Sequence, residues 1–489
     1  MSILTGVPSN LHVPGTFHRF NYLRAAGSLV TFPMTVALIG TKTSAGTATA
    51  GTVYPVEDPA VTDALFGVRG ELSLMCRMAY KCAQLFGRGP IVKAVAVAEP
   101  GGGVANVKTL TAVGTATTDS DFVFRVAGRT ISVGIRSGTL QNAFATAINS
   151  ELSRLASDLP VANSVATNVV TLTHPTKGIN GTDIKVTIEQ QVPGVVVTLA
   201  NTAVGSGVAD HQPGIDALSP LRYDGIALAN HAAADVTQVL NDIATRWGLS
   251  SKTWGWYHIG EPGSQGTAAA LSTAANHRAA IFHNIFNCPN TAGEIAVAGA
   301  MLQWSREKAN AAYNGATVPL YPPPDGDIFT VPEQESSIAA GVTPYMAAKD
   351  AAGRVIQTRM KCVRMVTSQT TDSGGFPDER NRDVCVARVG VKIAMQFDAA
   401  VEDRLGPDDN PEGIGQEESK PLIKDLAADI LRAEAEAKEI RSDFVEEDIA
   451  GILIEEDGST DGRNNVRLPY HVNTPLHQIA VAHDITIGV

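Results

Sequence analysis

The end of the chain, residues 463–489, most strongly constrains the fold, because apolar and polar side chains alternate there over two stretches. The apolar positions are Val466, Leu468, Tyr470, Val472, Ile479, Val481, Ile485 and Ile487. A period of two over this length predicts two β-strands, joined by a turn at residues 473–475. No charge cluster follows the second predicted strand, and a long apolar strand with a free edge is prone to aggregate. It therefore either lies inside its own sheet or completes the sheet of a neighbouring chain.

Length and composition favour a large folded protein in a reducing compartment. With 489 residues, 44% of them apolar, the chain is long enough for roughly three domains with buried cores. Its five cysteines are scattered without zinc-ligand spacing, so we predict reduced, buried thiols in a cytoplasmic product. The first residues lack the pattern of a signal peptide. No apolar run reaches the ~18 residues that a membrane span needs, so we expect no membrane insertion.

Charge is concentrated in one region of the chain. The formal net charge of −12 argues against general nucleic-acid binding. Residues 398–457 contain 20 acidic and 6 basic residues, a net charge of −14, so the remainder of the chain carries +2. The acidic region is either a solvated helical surface or a patch that meets a basic patch on another copy. The candidate acidic residues for such an interface are Asp398, Glu402, Asp403, Glu434 and Glu436.

A predicted strand at Val355–Thr367 carries the basic candidates for the same interface. These residues are Arg354, Arg359, Lys361 and Arg364. They are either one solvated face of a strand or the partners of the acidic region on another subunit.

The order of predicted elements indicates an α/β sandwich that is interrupted by a β-rich segment. A strand at 31–40, a helix at Glu71–Phe86 and a strand at 91–98 form a strand–helix–strand unit, for which we expect parallel pairing. From 101 to 207 the chain is rich in Thr and Val and poor in charge, which predicts a mainly β insertion. Alternation then resumes. The predicted strands there are 223–228, 253–258 and 281–287, and the predicted helices are 232–247, 265–278 and 291–313.

The remaining predicted elements follow a Pro-rich loop at 319–327. They are a helix at Asp378–Leu405, a helix that starts at Pro421, and a segment at Asp443–Ile454 that leads into the terminal strands.

No motif for catalysis stands out. The chain lacks a phosphate-binding loop, a zinc-protease histidine pair and a nucleophile elbow. His258 ends a predicted strand, where catalytic residues lie in many α/β folds, so an enzyme or small-molecule-binding protein with a site near His258 is the alternative interpretation. The residues Asp408, Asp409, Asn410 and Glu412 could hold a hard cation, but their spacing differs from that of a calcium loop, and we interpret them as a solvated turn. We expect no enzymatic activity, cofactor or metal.

A series of short motifs follows a fixed order beyond residue 210. In chain order, they are Arg246-Trp247-Gly248, Gly255 and Gly260 around a strand, Asn276-His277, an Ala-rich stretch after Pro289, the Pro-rich loop with Phe329-Thr330, Gly341 to Pro344, the turn Gly353-Arg354-Val355, the strand from Arg359 to Thr367, and the ending from Arg463 to Ile487. In this order they resemble the contractile tail sheath proteins of Mu-like phages. The resemblance covers residues 210–489, and the acidic loop Asp408–Glu418 departs from it.

The resemblance implies a structural protein. Its subunits are expected to polymerise as stacked hexameric rings around a tail tube and to contract, driving the tube through the host envelope for genome ejection. The implied partners are further copies of the chain, the tail tube protein, and baseplate and tail terminator proteins, without nucleic acid. The implied location is the virion tail, assembled in the host cytoplasm.

The resemblance also implies a domain order. The expected parts are an extended arm at 1–28, an α/β sheath domain at 29–100 plus 208–328, an inserted mainly β outer domain at 101–207, and a C-terminal α+β inner domain at 329–489 that strands from both termini complete. The expected exchange residues are Phe17, Phe20, Tyr22, Leu23, Ile479, Val481, Ile485 and Ile487, with 471–475 setting the direction of the last strand. Tethers near 20–28 and before Arg463 are expected to keep subunits joined while rigid domains rotate.

Overall fold

The computed structural model describes residues 34–155, 159–179, 185–219, 221–229, 231–248, 251–378, 380–405, 416–456 and 464–475. Their contacts divide into two compact units. One contains the described residues from 34 to 391 together with 474 and 475, and the other contains those from 392 to 473.

Strands and helices are mixed along the whole described chain. The strands are β1 Thr35–Thr41, β2 Val53–Pro55, β3 Ile91–Val97, β4 Val107–Gly114, β5 Ser120–Val126, β6 Arg129–Ile135, β7 Ala162–Ala166, β8 Val169–Thr173, β9 Val186–Gln190, β10 Val195–Ala203, β11 Gly225–Leu228, β12 Trp256–Glu261, β13 Ala280–Asn284, β14 Thr317–Val318, β15 Val342–Lys349, β16 Val355–Cys362, β17 Leu453–Glu456 and β18 Asn464–Arg467. The helices are α1 Pro59–Phe66, α2 Glu71–Phe86, α3 Gln141–Arg154, α4 Gln212–Leu218, α5 Ala233–Arg246, α6 Gln265–Ala275, α7 Ala292–Trp304, α8 Val331–Ala339, α9 Val384–Leu405, α10 Gln416–Glu436 and α11 Val445–Ala450. The chain is therefore a mixed α/β multidomain protein, as predicted.

A nine-stranded sheet forms the centre of the first unit, in the order β14-β16-β15-β13-β12-β11-β1-β3-β2. The pairs from β3 through β1, β11, β12 and β13 to β15 are parallel, which confirms the parallel pairing predicted for the strands around Glu71–Phe86. The outer pairs β2–β3, β15–β16 and β14–β16 are antiparallel. Six of the seven residues of β1 are buried, as expected for a parallel strand with both faces covered.

Helix α7 lies against this sheet, and every one of its residues is buried. Thr291 and Glu294 form a capping box at its start, with the backbone N–H of Thr291 donating to the Glu294 carboxylate at 3.0 Å. The helix was predicted to run to Tyr313 but ends at Trp304. Arg388 explains the earlier end, because it donates to the backbone carbonyls of Gln303 (3.1 Å) and Arg306 (3.0 Å) and lies over the Trp304 ring.

The segment between β3 and β11 folds around a hydrophobic core of its own. It contains a four-stranded sheet, β10-β4-β8-β7, a three-stranded sheet, β6-β5-β9, and helix α3. The aromatic residues Phe122, Phe124 and Phe144 lie at its centre, with ring centroids about 5 Å apart. We call the segment from 101 to 207 the insertion.

The insertion contacts the rest of the first unit at several points, which include a neck and the tip of a hairpin. A neck forms where Val104 and Ser206 exchange backbone hydrogen bonds of 2.9 and 3.1 Å. The hairpin between β5 and β6 also reaches Tyr321, since a Cβ built on Gly128 would lie 2.6 Å from the Tyr321 Cβ. Gly128 has a φ of +77°, so both the backbone conformation and the close contact require glycine.

The second unit contains most of α9, together with α10, α11, β17 and β18. Only the start of the first predicted terminal strand is present, as β18, which ends at Arg467, whereas the prediction continued to Val472. Strand β18 pairs antiparallel with β17, from Leu453↔Arg467 to Glu456↔Asn464, and Val472 forms an isolated bridge with Ile440. The second predicted strand lies outside the described residues. Strand β17 begins inside the segment Asp443–Ile454, for which the sequence predicted only a connection to the terminal strands.

The bounds of several elements in the C-terminal part differ from the prediction. Strand β16 ends at Cys362 instead of Thr367, and α9 begins at Val384 instead of Asp378, because Arg364 leaves the strand to bind Asp383 at the start of the helix. Helix α10 begins at Gln416, with Pro421 inside it, and two glutamates occupy its first turn. Because β15 and β16 belong to the nine-stranded sheet, that sheet continues past the boundary predicted at 328/329.

Candidate assembly surfaces

Strand β16 contains two of the four basic residues that the sequence analysis singled out, Arg359 and Lys361. Arg359 is exposed and Lys361 is half-buried. Arg354 lies in the turn before β16, where its guanidinium donates to Asp350 at 2.9 Å and the same carboxylate accepts two backbone N–H groups. Arg354 is therefore engaged locally, although 80% of its side chain is exposed.

Arg364 has a structural role within the first unit. Its guanidinium donates two hydrogen bonds to the carboxylate of Asp383, at 2.9 and 2.7 Å. A bidentate arginine–carboxylate pair of this kind is both strong and geometrically specific. Arg364 thus joins the chain after β16 to the start of α9.

The acidic residues predicted for the interface divide into surface and buried groups. Glu402 and Asp403 on α9 and Glu436 on α10 are exposed, and Asp398 is half-buried. Glu434 differs from the prediction, because none of its surface is accessible. The sequence did not reveal this, since Glu434 alternates with alanines in a stretch that is acidic throughout.

Glu434 belongs to a buried charge cluster in the second unit. The Lys392 ammonium lies 2.9 Å from the Glu434 Oε2 and 2.9 Å from the Glu439 Oε1. Both carboxylates are buried, whereas 29% of the lysine side chain is exposed. The backbone N–H of Glu439 also donates to the carbonyl of Glu434 at 2.9 Å, which holds the two acidic residues together at the end of α10. Sequence reasoning missed this cluster, and no spacing signal marks Lys392.

The segment before the predicted exchange strand is held firmly in the second unit. The Nδ1–H of His471 donates to the buried Asp448 carboxylate at 2.9 Å, and the imidazole ring stacks on Phe444. The backbone of Arg441 donates to the His471 carbonyl at 2.8 Å, and that of Asn473 donates to Glu439 at 3.0 Å. We call His471–Asn473 with these partners the C-terminal anchor. It coincides with the residues predicted to direct the last strand.

Several predicted site residues lie outside the described residues. These are Phe17, Phe20, Tyr22, Leu23, Ile479, Val481, Ile485 and Ile487, together with Asp408, Asp409, Asn410 and Glu412 of the acidic loop.

The surroundings of His258 argue against the alternative of a catalytic or ligand site there. His258 is completely buried in β12, and its ring stacks on His283, with 2.9 Å between His258 Nδ1 and His283 Nε2. The Tyr345 hydroxyl continues the row at 3.0 Å from His283 Nδ1. Burial, reinforced by the second imidazole, holds the pKa of His258 well below its usual range, and burial lowers the pKa of His283 to about 3. Both rings are therefore neutral and closed off by packed helix α7.

Two further observations concern metal binding and membrane-spanning helices. Within the described ranges, no group of three or more His, Cys, Asp or Glu side chains is arranged to hold a metal ion. None of the helices described is both long and apolar enough to cross a bilayer.

All five cysteines are buried and unbonded to one another, as predicted. Burial raises the pKa of the Cys385 thiol to about 12, so this group is not a ready nucleophile.

Comparison with known proteins confirms the resemblance seen in the sequence. The chain is 26% identical to the Mu-like prophage FluMu tail sheath protein of Haemophilus influenzae over 358 residues, which are 71% of this chain and 72% of that protein. The matched length exceeds the 210–489 range in which the motifs were recognised. No family model matches the chain. This relative is a structural sheath protein and not an enzyme, in agreement with the prediction.

Solved structures extend the comparison to the fold. A sheath tail protein of Listeria innocua superposes with a TM-score of 0.50 at 14% identity, covering 90% of this chain and 92% of that one. One from Desulfitobacterium hafniense gives a TM-score of 0.48 at 10% identity, covering 94% of this chain and 100% of that one. At such low identity, the Listeria innocua likeness concerns the fold alone.

Proposed function

We propose that this chain is the subunit of a contractile tail sheath. In this role it polymerises as stacked hexameric rings around a tail tube, and the polymer contracts to drive the tube through a host envelope. The observation that carries the proposal is the 26% identity to a tail sheath protein across 71% of the chain. The fold likeness to a sheath tail protein supports it independently of that alignment.

Assembly by strand exchange is the finer part of the proposal. The arm at 1–28 and the strand at 479–487 each complete a sheet in a neighbouring subunit, which supplies a partner for an apolar edge. The C-terminal anchor supports this idea, since it fixes the chain at Asn473 only a few residues before that strand. A strand of this kind tethers subunits while their rigid parts change orientation.

Charge complementarity between subunits is the second finer part. The exposed carboxylates of Glu402, Asp403 and Glu436 face a basic partner on another copy, for which Arg359 and Lys361 are the candidates. Arg364 and Glu434 are excluded from this contact because each is bound within its own unit. Contacts of this type set the register of association and weaken with salt.

The implied partners follow from the same role. We propose that the polymer binds a tail tube protein along its length and meets baseplate and tail terminator proteins at its ends. It would form part of the virion tail after assembly in the host cytoplasm.

Electron microscopy of the purified chain tests the proposed function. Hollow tubes or contracted cylinders with six-fold end views are expected. A compact oligomer that never polymerises would contradict the proposal. Deletion of residues 479–489 tests the exchange strand. The shortened chain should remain folded, with an unchanged circular dichroism spectrum, but should not polymerise, and normal tubes from it would show that this strand is not needed.

A further inference from the structure

Three stretches of the chain meet at the neck, and residues 174–179, which we call the neck segment, bind the other two. The backbone N–H of Gly178 donates to the Val104 carbonyl at 3.2 Å, and that of Ile179 donates to the Gly207 carbonyl at 3.0 Å. Val104 lies where the chain enters the insertion and Gly207 where it leaves it. The neck segment therefore holds the entering and leaving stretches together, beside the direct backbone pair described above.

The neck segment also reaches the α/β part of the unit. The backbone N–H of Lys177 donates to the carboxylate of Glu99, which follows β3, at 3.1 Å. Space at the crossing is so restricted that a Cβ built on Gly207, whose φ is +97°, would lie 2.9 Å from the Gly103 Cα. The stretches are packed too closely for one of them to shift alone, so the neck opens or closes as a whole.

His174 begins the neck segment and is buried. Its backbone N–H donates to the Asn106 carbonyl at 2.9 Å. Its ring folds back on Thr176, with Nδ1 2.8 Å from the carbonyl oxygen and 2.9 Å from the hydroxyl oxygen. Among the described residues, nothing meets the other ring nitrogen, Nε2, which is buried without a hydrogen-bond partner. The site thus fits a neutral imidazole.

A protonated His174 does not fit the same place. An imidazolium carries an N–H on both ring nitrogens, so a positively charged Nε2–H would lie buried with no acceptor. Burial lowers the pKa of His174 from 6.5 to about 4, and the hydrogen bond to Thr176 opposes this only in part. The charged side chains on the neighbouring stretches, Glu99, Lys108 and Lys177, are not among the causes. No described charge therefore compensates the protonated ring.

We propose that His174 is an acid-sensitive lock on the neck. Its protonation releases the neck segment from Val104 and Gly207, and the insertion then changes its orientation on the first unit with its own core intact. The extensive packing of its described strands and of α3 is within the insertion, so this core does not depend on the lock. Side-chain contacts with the rest of the unit, such as that of Arg69 with the Val161 carbonyl, are single hydrogen bonds that each contribute little. The inference does not depend on the proposed sheath function.

The size of the effect follows from the pKa of His174 in the two forms. In the open neck the ring meets water and takes its ordinary pKa of 6.5, against about 4 in the closed neck. Between these values the open form binds a proton that the closed form does not, so a fall in pH favours opening until both forms are protonated. From pH 7 to pH 5 the ratio of open to closed molecules should rise roughly 20-fold.

Hydrogen exchange in the full chain tests whether the neck opens alone. At pH 5, after correction for intrinsic exchange rates, the amides of Gly178 and Ile179 should exchange faster than those that pair β5 with β6, and roughly 20-fold faster than at pH 7. His174→Asn removes the titrating group and should abolish this dependence on pH. Equal corrected rates at the neck and in β5 and β6 at pH 5 would mean that the insertion only unfolds as a whole, which would overturn the proposal.

His277→Asn is the matched control. Burial and the neighbouring Arg278 lower the pKa of His277 to about 4 as well, but His277 follows α6, outside the insertion. This variant should keep the acid response of the neck amides. Loss of that response would assign it to general acid destabilisation and overturn the role of His174.

A distance measurement tests the change of orientation. We would attach a donor and an acceptor dye to Ser150→Cys on α3 and Gln84→Cys on α2, two exposed positions, since all five native cysteines are buried. The energy-transfer efficiency should change reversibly between pH 7 and pH 5 in this double variant and stay constant when His174→Asn is added. A constant efficiency in the presence of His174 would show that the insertion keeps its orientation, and would overturn the proposal.

Discussion

Lys392 and Glu434 form a charge pair in which the carboxylate is fully buried and the ammonium reaches it from the edge of the second unit, at 2.9 Å. The same ammonium lies 2.9 Å from the buried Glu439. Two carboxylates thus depend on one cation, and removal of one partner from a buried pair leaves uncompensated charge.

Replacement of Lys392 by methionine should destabilise the protein strongly. The side chain keeps its length but loses its charge, so we expect a loss of about 3–5 kcal/mol in the free energy of unfolding. Urea denaturation measures it. Lys420→Met is the control, because Lys420 pairs with Glu417 and Glu456, which are both exposed, and the loss of a surface ion pair should change the stability far less. Similar denaturation midpoints for the two variants would contradict a special role for the buried cluster.

Loss of the Asp448 carboxylate should release the C-terminal anchor. In Asp448→Ala, both the imidazole and the backbone N–H of His471 lose their acceptor. We expect faster hydrogen exchange at the amides of Arg441 and Asn473, which depend on the same docking. Asp443→Ala is the control. Asp443 is exposed and forms an ion pair with the Arg441 side chain, and this pair does not involve the backbone groups that hold His471 and Asn473. Unchanged exchange in Asp448→Ala would argue against the anchor.

Substitution of Gly128 separates backbone strain from contact. Gly128→Ala places a methyl group 2.6 Å from the Tyr321 Cβ, whereas Gly138 has a similar φ of +81° and open space around it. Both variants should lose about 1 kcal/mol from the strained backbone. Gly128→Ala should lose a further ~1–3 kcal/mol from overpacking. Thermal unfolding gives the melting temperature of each variant. Equal melting temperatures would mean that the hairpin tip shifts away from Tyr321 at no cost in stability.

Acid should destabilise the insertion through His174. Burial lowers the pKa of this histidine from 6.5 to about 4, so between these values the unfolded chain binds a proton that the folded chain does not. Stability therefore falls as the pH is lowered through this window, by about 2 kcal/mol at pH 5. His174→Asn should reduce the difference between the pH 7 and pH 5 melting temperatures. A difference as large as in the native chain would assign the acid sensitivity to other groups.

Reversal of the charge of Arg359 should weaken assembly. If this exposed arginine meets the acidic surface of another copy, Arg359→Glu should lower polymer yield at low salt, and the deficit should shrink as salt screens the repulsion. Sedimentation at two ionic strengths measures this. Arg354→Glu is a matched control, because Arg354 is an exposed arginine that pairs with Asp350 in its own turn. Polymer yields that match the native chain at every salt concentration would remove Arg359 from the interface.

The central elements could be predicted from the sequence because local patterns specify them. The prediction of Glu71–Phe86 coincides with α2 to the residue, since apolar side chains recur at helical spacing and glycines stand at both ends. Strands β1, β3, β11, β12 and β13 of the parallel core were found within a few residues, because short apolar runs between turn residues are typical of strands buried on both faces.

Elements whose limits depend on distant residues could not be predicted. The end of α7 is set by Arg388, more than eighty residues later, and the end of β16 by the pair of Arg364 with Asp383. Strand β15, which contains Pro344, was not predicted. Burial of Glu434 was equally hidden, since only the tertiary fold brings Lys392 to it. The pairing of β18 with β17 was not predicted either, because β17 lies in a segment in which the residue pattern indicated no strand.

The neck at Val104 and Ser206 has a consequence for engineering. Because these residues pair directly, the chain leaves and re-enters the α/β unit at neighbouring points. Such a position tolerates exchange of whole domains, as the ends of most independent domains are also close together. A foreign domain of similar size could be grafted between residues 104 and 206, while the nine-stranded sheet keeps its own strand order.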